Sequence, residues 1–309
     1  MEQVQWADRG QLLQLETPEG AVQGGCIGVS RLGSAQVAGG FSIWVQLHGS
    51  SWVEAKEGKF RLRRGDWIAF EKDSKPVVQA DRFGTCIGLT LSSDALKEMT
   101  RFADRGLYAG RGRTSIRDAR ITLRLWREAA ARMAEAGGGF DLVALRPVLL
   151  HLAGIQRELA ARIPRCPGRS RSRKRQVFGR LQRARLYLEG NCDRVVRISE
   201  LAELTSFSSW YFSKTFHSLY EESPQAASAR MRLERAADLL TSTTMMIGEV
   251  AAASGFDNCC SFARAFRARF GVSATRYRSA ANIARTETSR AGSAKSLGAS
   301  RKAMARTGT

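Results

Sequence analysis

Six cysteines and three histidines are the side chains of this 309-residue chain best suited to hold a metal or to attack a substrate. Their spacing supports neither use. Cys26, Cys86, Cys166, Cys192, Cys259 and Cys260 form no CxxC pair, and Cys259 and Cys260 are adjacent, which suits neither a metal site nor an ordinary disulfide. His48, His151 and His217 are scattered, and HExxH, GxSxG and phosphate-cradling glycine loops are missing from the sequence. No cofactor, no metal and no enzymatic activity are therefore expected. The chemistry the chain does offer is the capture of anions. Its formal net charge is +20, and the excess is uneven: residues 1–162 carry 23 Lys+Arg against 18 Asp+Glu, whereas residues 163–309 carry 26 against 11. A basic half joined to a nearly balanced half predicts a polyanionic partner for the basic half alone.

Those charges are positioned by an internal duplication. Ile198–Phe207 aligns with Ile247–Phe256 at an offset of 49 residues. After a one-residue insertion, Phe212, Lys214, Phe216, Tyr220 and Ser223 align with Phe262, Arg264, Phe266, Phe270 and Ser273 at an offset of 50. Each copy predicts a helix, a tight turn and a second helix. Ile198, Leu201, Ala202 and Leu204 give the first helix an apolar face, and Ser208 can cap the helix that follows. In the second copy Gly255 supplies the turn and Asp257 is the expected capping oxygen. Phe212/Phe216 and Phe262/Phe266 are spaced i, i+4, so each pair points into the core and leaves the opposite face free to enter a major groove. Between the copies, Pro224–Thr241 predicts a helix of about 25 Å, long enough to hold two recognition helices near one DNA turn apart, roughly 34 Å.

The second half resembles the DNA-binding domain of the AraC/XylS family of bacterial transcription regulators. The resemblance is carried by Leu201-Ala202, Ser208, Tyr211-Phe212-Ser213, Phe216, Ser223-Pro224 and Arg232-Leu233-Glu234-Arg235-Ala236. It continues through Leu239-Leu240, Ile247, Val250-Ala251, Gly255-Phe256, Arg264-Ala265-Phe266 and Phe270-Gly271-Val272-Ser273. It implies a seven-helix module that binds promoter DNA, usually to activate, with RNA polymerase as a further partner. Carried over by position, the DNA-facing residues are Trp210, Ser213 and Lys214 of the first unit, with Ser209 and His217 beside them. In the second unit they are Cys259, Cys260, Ala263 and Arg264, with Arg267 beside them. An indole at Trp210 suits a sugar or thymine-methyl contact, or else a partly buried core position; Lys214 and Arg264 suit phosphate or guanine. The chain departs from the family pattern at Glu221, where a small turn residue is usual, at Ala227, where an aromatic is expected, and at Ala274, where a proline is expected. Cys259, Cys260 and Ala263 offer few hydrogen bonds to bases, so the second unit is expected to bind through backbone contacts and shape. An adjacent cysteine pair on that surface also raises a redox switch.

The first half predicts short strands at Phe41–Leu47, Ser51–Glu54, Lys59–Arg63, Trp67–Phe70, Val77–Val78 and Thr85–Leu91, broken by turn residues, followed by a helical hairpin over Ile116–Ala136 and Leu142–Ala161. With Leu62-Arg63-Arg64-Gly65-Asp66-Trp67-Ile68, this is similar to the cupin-like sensory domains attached to many members of the family. The hairpin's outer face is a candidate dimer contact, or only a cover for the barrel. Trp44, Trp52, Trp67, Phe41 and Phe70 could line a pocket for a small-molecule effector, or equally form barrel core. The expected fold is thus two-domain: a mainly-β cupin-like barrel with a helical hairpin over residues 1–162, a flexible basic linker over 163–176, an all-α domain over 177–280 with two helix-turn-helix units joined by a long helix, and a disordered tail over 281–309. No apolar run reaches the roughly 18 residues of a membrane span, and no signal peptide opens the sequence, so a cytoplasmic protein is expected. The expected partners are double-stranded promoter DNA and RNA polymerase, with a small-molecule effector and a second copy of the chain as candidates. Two other readings stay open: a general nucleic-acid coating protein, which the charge favours, and a cupin enzyme with a basic tail, which the scarcity of histidine disfavours.

Overall fold

Strand formation in the first half follows the alternation of its side chains. The computed structural model describes residues 4–17, 20–102, 106–137 and 139–283. Eleven strands lie among them: β1 (Val4–Ala7), β2 (Leu12–Glu16), β3 (Gly24–Ser30), β4 (Ser34–Ala38), β5 (Phe41–His48), β6 (Ser50–Ala55), β7 (Gly58–Arg63), β8 (Asp66–Phe70), β9 (Val77–Ala80), β10 (Thr85–Leu91) and β11 (Gly110–Arg113). They form two sheets, ordered β1-β3-β10-β5-β8-β11 and β2-β4-β9-β6-β7. The pairs β1/β3 and β2/β4 are parallel and the rest antiparallel. The barrel expected from the strand pattern is therefore not closed: two sheets enclose a core of Trp44, Phe60, Phe70, Ile68 and Leu62.

The larger sheet is buried on both faces, which explains a mismatch in β5. Alternation there predicted a polar side facing water, yet Ser42 and Gln46 are fully buried. Phe41, Ile43 and Val45 face the helices, and Trp44 faces the second sheet. The aromatic residues considered as one pocket lining thus divide between two cores, Phe41 and Trp67 in one and Trp44 and Phe70 in the other, while Trp52 is exposed.

The helices over the larger sheet are α1 (Ser93–Phe102), α2 (Ile116–Glu135), α3 (Leu142–Ile155) and the short α4 (Arg157–Ala160), so the second arm of the hairpin is broken at Gln156 rather than running to Ala161. Ser115 caps α2 by accepting from the Asp118 N–H, and Asp141 caps α3 by accepting from the Val143 N–H. The Trp126 indole N–H donates to the Gly88 carbonyl at 2.9 Å and fixes α2 on β10.

Residues 163–176 differ from the flexible linker that their composition suggests. A 3-10 turn covers Ile163–Arg165, and helix α5 runs over Arg171–Gly190, capped by Ser170, whose hydroxyl accepts from the Arg173 N–H. One helix cap and a run of arginines, which are good helix formers, override the Pro/Gly/Ser composition here. Then follow α6 (Ile198–Thr205), α7 (Ser209–Tyr220), α8 (Pro224–Ser242), α9 (Ile247–Ala253), α10 (Cys259–Phe270) and a seventh helix over 274–283, α11. Helix α11 outruns the expected domain end at 280; the rest of the expected tail, 284–309, lies outside the described residues. The chain forms two compact units: residues up to 191 with 196–225, and residues 192–195 with 226 onward. The first helix-turn-helix therefore belongs to the compact unit that contains the sheets, while helices alone make up the chain from α5 to α11, as expected of an all-α C-terminal region. No helix among the described residues is long and apolar enough to cross a membrane.

Candidate nucleic-acid interface

Each helix-turn-helix is built by the same sequence of local bonds. Helix α6 begins with the Glu200 carboxylate accepting from the Arg197 N–H at 3.0 Å, and α9 with Glu249 accepting from the Met246 N–H at 2.7 Å. Glutamate at this position also complements the helix dipole. The turn after α6 has the Phe207 N–H bonded to the Ala202 carbonyl at 2.9 Å, and the turn after α9 has the Phe256 N–H bonded to Ala251 at 3.0 Å. This closure needs a left-handed residue, supplied by Ser206 (φ 53°) in the first copy and Gly255 (φ 72°) in the second. Ser208 then caps α7 through the Tyr211 N–H. The cap of α10 is Asn258, whose Oδ1 accepts from the Ser261 N–H at 2.8 Å. This corrects the expectation of Asp257: the inserted residue precedes the cap, so the offset at this point is already 50.

The inward faces carry Phe212, Phe216, Phe262 and Phe266, all fully buried. Ring contacts run from Phe212 through Phe216 to Tyr220, and from Phe262 through Phe266 to Phe270. The outward faces hold the candidate residues. On α7, Ser209, Trp210, Lys214 and His217 are exposed and Ser213 is half-buried. Trp210 is 69% exposed, which removes the core-aromatic alternative, and the Lys214 Nζ lies 4.8 Å from its ring centroid. On α10, Cys259, Cys260, Ala263, Arg264 and Arg267 are all exposed. The ten positions form five pairs at the 50-residue spacing, so each helix presents one stripe. Neither Lys214, Arg264 nor Arg267 forms an ion pair among the described residues.

Cys259 and Cys260 are exposed free thiols, whereas Cys26, Cys86, Cys166 and Cys192 are buried. Burial pushes the Cys26 thiol up to about 12 and the Cys166 thiol up to about 11. Among the described residues, no group of three or more His, Cys, Asp or Glu is placed to hold a metal ion.

One layer of the duplication is absent from the reading of the sequence. In the second unit, the Arg232 Nε on α8 donates to the Ser254 carbonyl at 2.9 Å, its second nitrogen donates to the Gly255 carbonyl, and its guanidinium lies 4.3 Å from the Phe256 ring centroid. In the first unit, Arg180 on α5 donates to the Thr205 carbonyl at 3.2 Å and lies 5.4 Å from the Phe207 ring. Both arginines satisfy the orphan carbonyls at the end of a scaffold helix. The signal was present as Arg180-Leu-Gln-Arg-Ala184 against Arg232-Leu-Glu-Arg-Ala236, displaced by 52 residues. The second arginine of each pentapeptide diverges. Arg235 donates to the Ala253 carbonyl at 3.1 Å, whereas Arg183 donates to Glu57, a buried carboxylate at the β6–β7 turn, at 2.8 Å.

Comparison with known proteins agrees with this architecture. Residues 201–280 match the family of helix-turn-helix domains. The chain is 30% identical over 156 residues to the HTH-type transcriptional regulator GbdR of Pseudomonas aeruginosa, a match covering 46% of this chain and 41% of that protein. It is 26% identical over 93 residues to the HTH-type transcriptional activator AarP of Providencia stuartii, covering 30% of this chain and 69% of that one. Among solved structures, the C-terminal domain of AraT, a response regulator from Geobacillus stearothermophilus, is 30% identical over 33% of this chain and 84% of that one, with a TM-score of 0.32. The paired units define a DNA-binding helix-turn-helix module. The C-terminal region of this chain carries, more particularly, a helix-turn-helix domain similar to those of HTH-type transcriptional regulators.

Proposed function

We propose that the chain is a sequence-specific, cytoplasmic regulator of transcription that reads promoter DNA with α7 and α10 and acts chiefly as an activator in contact with RNA polymerase. The observation that carries this is the matched pair of outward stripes, one per unit, each with cationic side chains that no acidic group among the described residues neutralises. Trp210, Ser213 and Lys214 supply most of the base preference, with Ser209 and His217 at their edge. Arg264 and Arg267 hold the backbone, since Cys259, Cys260 and Ala263 have little to offer a base edge. The activator role is supported by the name of the AarP relative. A homodimer would use the outer face of α3, where Val143 and Leu150 are exposed one heptad apart.

The test is selection of bound sequences from random duplex DNA at about 0.15 M salt, near physiological. Enrichment of a site with two short blocks is the expected result. Tight, salt-sensitive binding with no enriched sequence would instead favour a general nucleic-acid binder. That second reading draws on the α10 stripe, which is the poorer in hydrogen-bonding groups.

A further inference from the structure

We propose that the turns at one end of the two sheets form a docking surface for an acidic segment of a partner protein, one that carries an apolar side chain among its carboxylates. Four turns meet there: residues 8–11, 31–33, 49 and 81–84, which join β1 to β2, β3 to β4, β5 to β6 and β9 to β10. Backbone bonds sew them together. The Arg9 N–H donates to the Arg31 carbonyl at 3.0 Å, the Arg31 N–H to the Gly84 carbonyl at 3.2 Å, and the Asp81 N–H to the Ser50 carbonyl at 3.0 Å. The surface is therefore preformed, which lowers the ordering cost of binding. Arg9, Arg31, Leu32, His48, Arg82 and Phe83 line its recess of about 580 Å³. Phe83 is 73% exposed and Leu32 51%.

The backbone holds these side chains outward against local preference. Among the described residues, six other than glycine have a positive φ, and three of them are Arg9 (50°), Arg31 (43°) and Leu32 (72°). Arg31 and Leu32 are the central residues of a turn closed by the Gly33 N–H on the Ser30 carbonyl at 2.7 Å. Two successive left-handed residues call for Asn-Gly, and a bulky leucine there is an outlier. Half of Leu32 stays in water, so packing returns little for the strain. Strain kept without a gain inside the fold points to a contact made outside it.

The charges select the partner. The two acids of these turns are already engaged. Asp8 accepts from the Ser30 hydroxyl and the Arg31 Nε, both at 2.9 Å, while Asp81 accepts from the Ser50 hydroxyl and lies 3.9 Å from Arg61. Arg82 forms no ion pair among the described residues, and its guanidinium lies 5.5 Å from the Phe83 ring centroid. Arg9 is 78% exposed and reaches Asp8 only at 3.9 Å. The free guanidinium capacity suits carboxylates, and the ring and the leucine suit an apolar residue between them; arginine and aromatic side chains are the ones enriched in protein interfaces. A lipid surface fits less well, since the guanidinium stacked on Phe83 would enter hydrocarbon unpaired. A nucleic acid also fits less well, because Asp8 interrupts the cationic track between Arg9 and Arg31. Strand β6 starts beside these turns at Ser50 and ends two residues before Glu57, where Arg183 of α5 is bound. Roughly 20 Å of strand thus separates the surface from that anchor of α5, the helix behind the first reading head, α6 and α7. The surface stands whether or not the DNA reading holds.

The test offers the full chain a library of random peptides displayed on phage, at about 0.15 M salt; enriched peptides are then synthesised and their binding followed by fluorescence anisotropy. Enriched sequences are expected to place Asp or Glu on both sides of an aromatic or aliphatic residue. Their affinity should fall at least tenfold in Phe83→Ser and in Arg82→Glu. Arg31→Asn combined with Leu32→Gly should also weaken binding, yet melt at or above the temperature of the parent chain, because Asn-Gly suits the turn. Lack of enrichment, enriched peptides without acids, or affinity unchanged in Phe83→Ser and Arg82→Glu would overturn the surface. So would a melting temperature of the paired variant well below that of the parent, which would make Arg31 and Leu32 structural. Displacement of the peptide by phosphatidylglycerol vesicles or by random duplex DNA, lost in the same two variants, would assign the surface to a membrane or a nucleic acid instead.

Discussion

At the scale of single residues, the two outward stripes differ in what they can discriminate. Trp210 and Lys214 stack on an exposed surface with no core role, so Trp210→Ala should leave the melting temperature unchanged. It should weaken binding to a selected duplex about tenfold, or about 1.4 kcal/mol, with little effect on random DNA, as fluorescence anisotropy would record. Lys214→Ala and Arg264→Ala separate two kinds of contact. A phosphate contact lowers the slope of log affinity against log salt by about 1, while a base contact leaves the slope and alters sequence preference. The thiols give a third check. Iodoacetamide should modify Cys259 and Cys260 first, since the other four are buried, and bound duplex should slow that reaction if α10 faces the groove. Equal labelling with and without DNA would remove α10 from the interface. Ser208 as a cap was legible from spacing alone, whereas Asn258 was not: two neighbouring residues could both accept, and only the position of the insertion decides between Asp257 and Asn258.

At the scale of elements, the paired turns make opposite predictions about the same substitution. Ser206 holds a left-handed conformation that is unfavourable by roughly 1–2 kcal/mol for a side chain, so Ser206→Gly should raise stability by up to about 1 kcal/mol in denaturant titration. Gly255→Ser should lower it by more, because a Cβ there would meet the backbone of Arg194 at 2.8 Å. Equal responses would mean that the two turns are not equivalent in the way their bonds suggest. The helix pattern itself was readable from buried phenylalanines at i, i+4. The arginine clamps were not, although their pentapeptides repeat, because arginine in a basic half reads first as a solvated or phosphate-binding charge. Their carbonyl partners are remote in sequence, 25 residues away for Arg180 and 22 for Arg232.

At the scale of the whole molecule, local alternation revealed β5 to β10 but not β1 to β4 or β11. β1, β2, β4 and β11 are only four or five residues long, β3 carries three glycines, and β1 and β2 enter parallel pairs that no hairpin signal announces. The order of a sheet rests on contacts distant in sequence, which periodicity does not encode. Nor did composition reveal that α5 is shared. Its Leu186 belongs to the core between the sheets, Gly190 packs on the Glu57 carbonyl, and Arg183 reaches the same glutamate. Arg183→Leu would strand a buried carboxylate and should destabilise this unit by about 3 kcal/mol. Hydrogen exchange should show α6 and α7 opening with the strands, and α9 and α10 opening separately. If all four helices exchanged together and apart from the strands, α5 would not couple the first head to the sheets.

The shared helix also bears on how such a chain can be recombined. A crossover placed in the basic stretch ahead of α5, where composition invites a cut, would hand a foreign partner a helix with Gln182, Arg183 and Leu186 stripped of their covering. The sheets left behind would lose the cation that answers Glu57. The heritable module is therefore the two-sheet unit together with the first helix-turn-helix. The second head, which carries its own clamp in Arg232 and Arg235, is the piece that can be exchanged without redesigning a core.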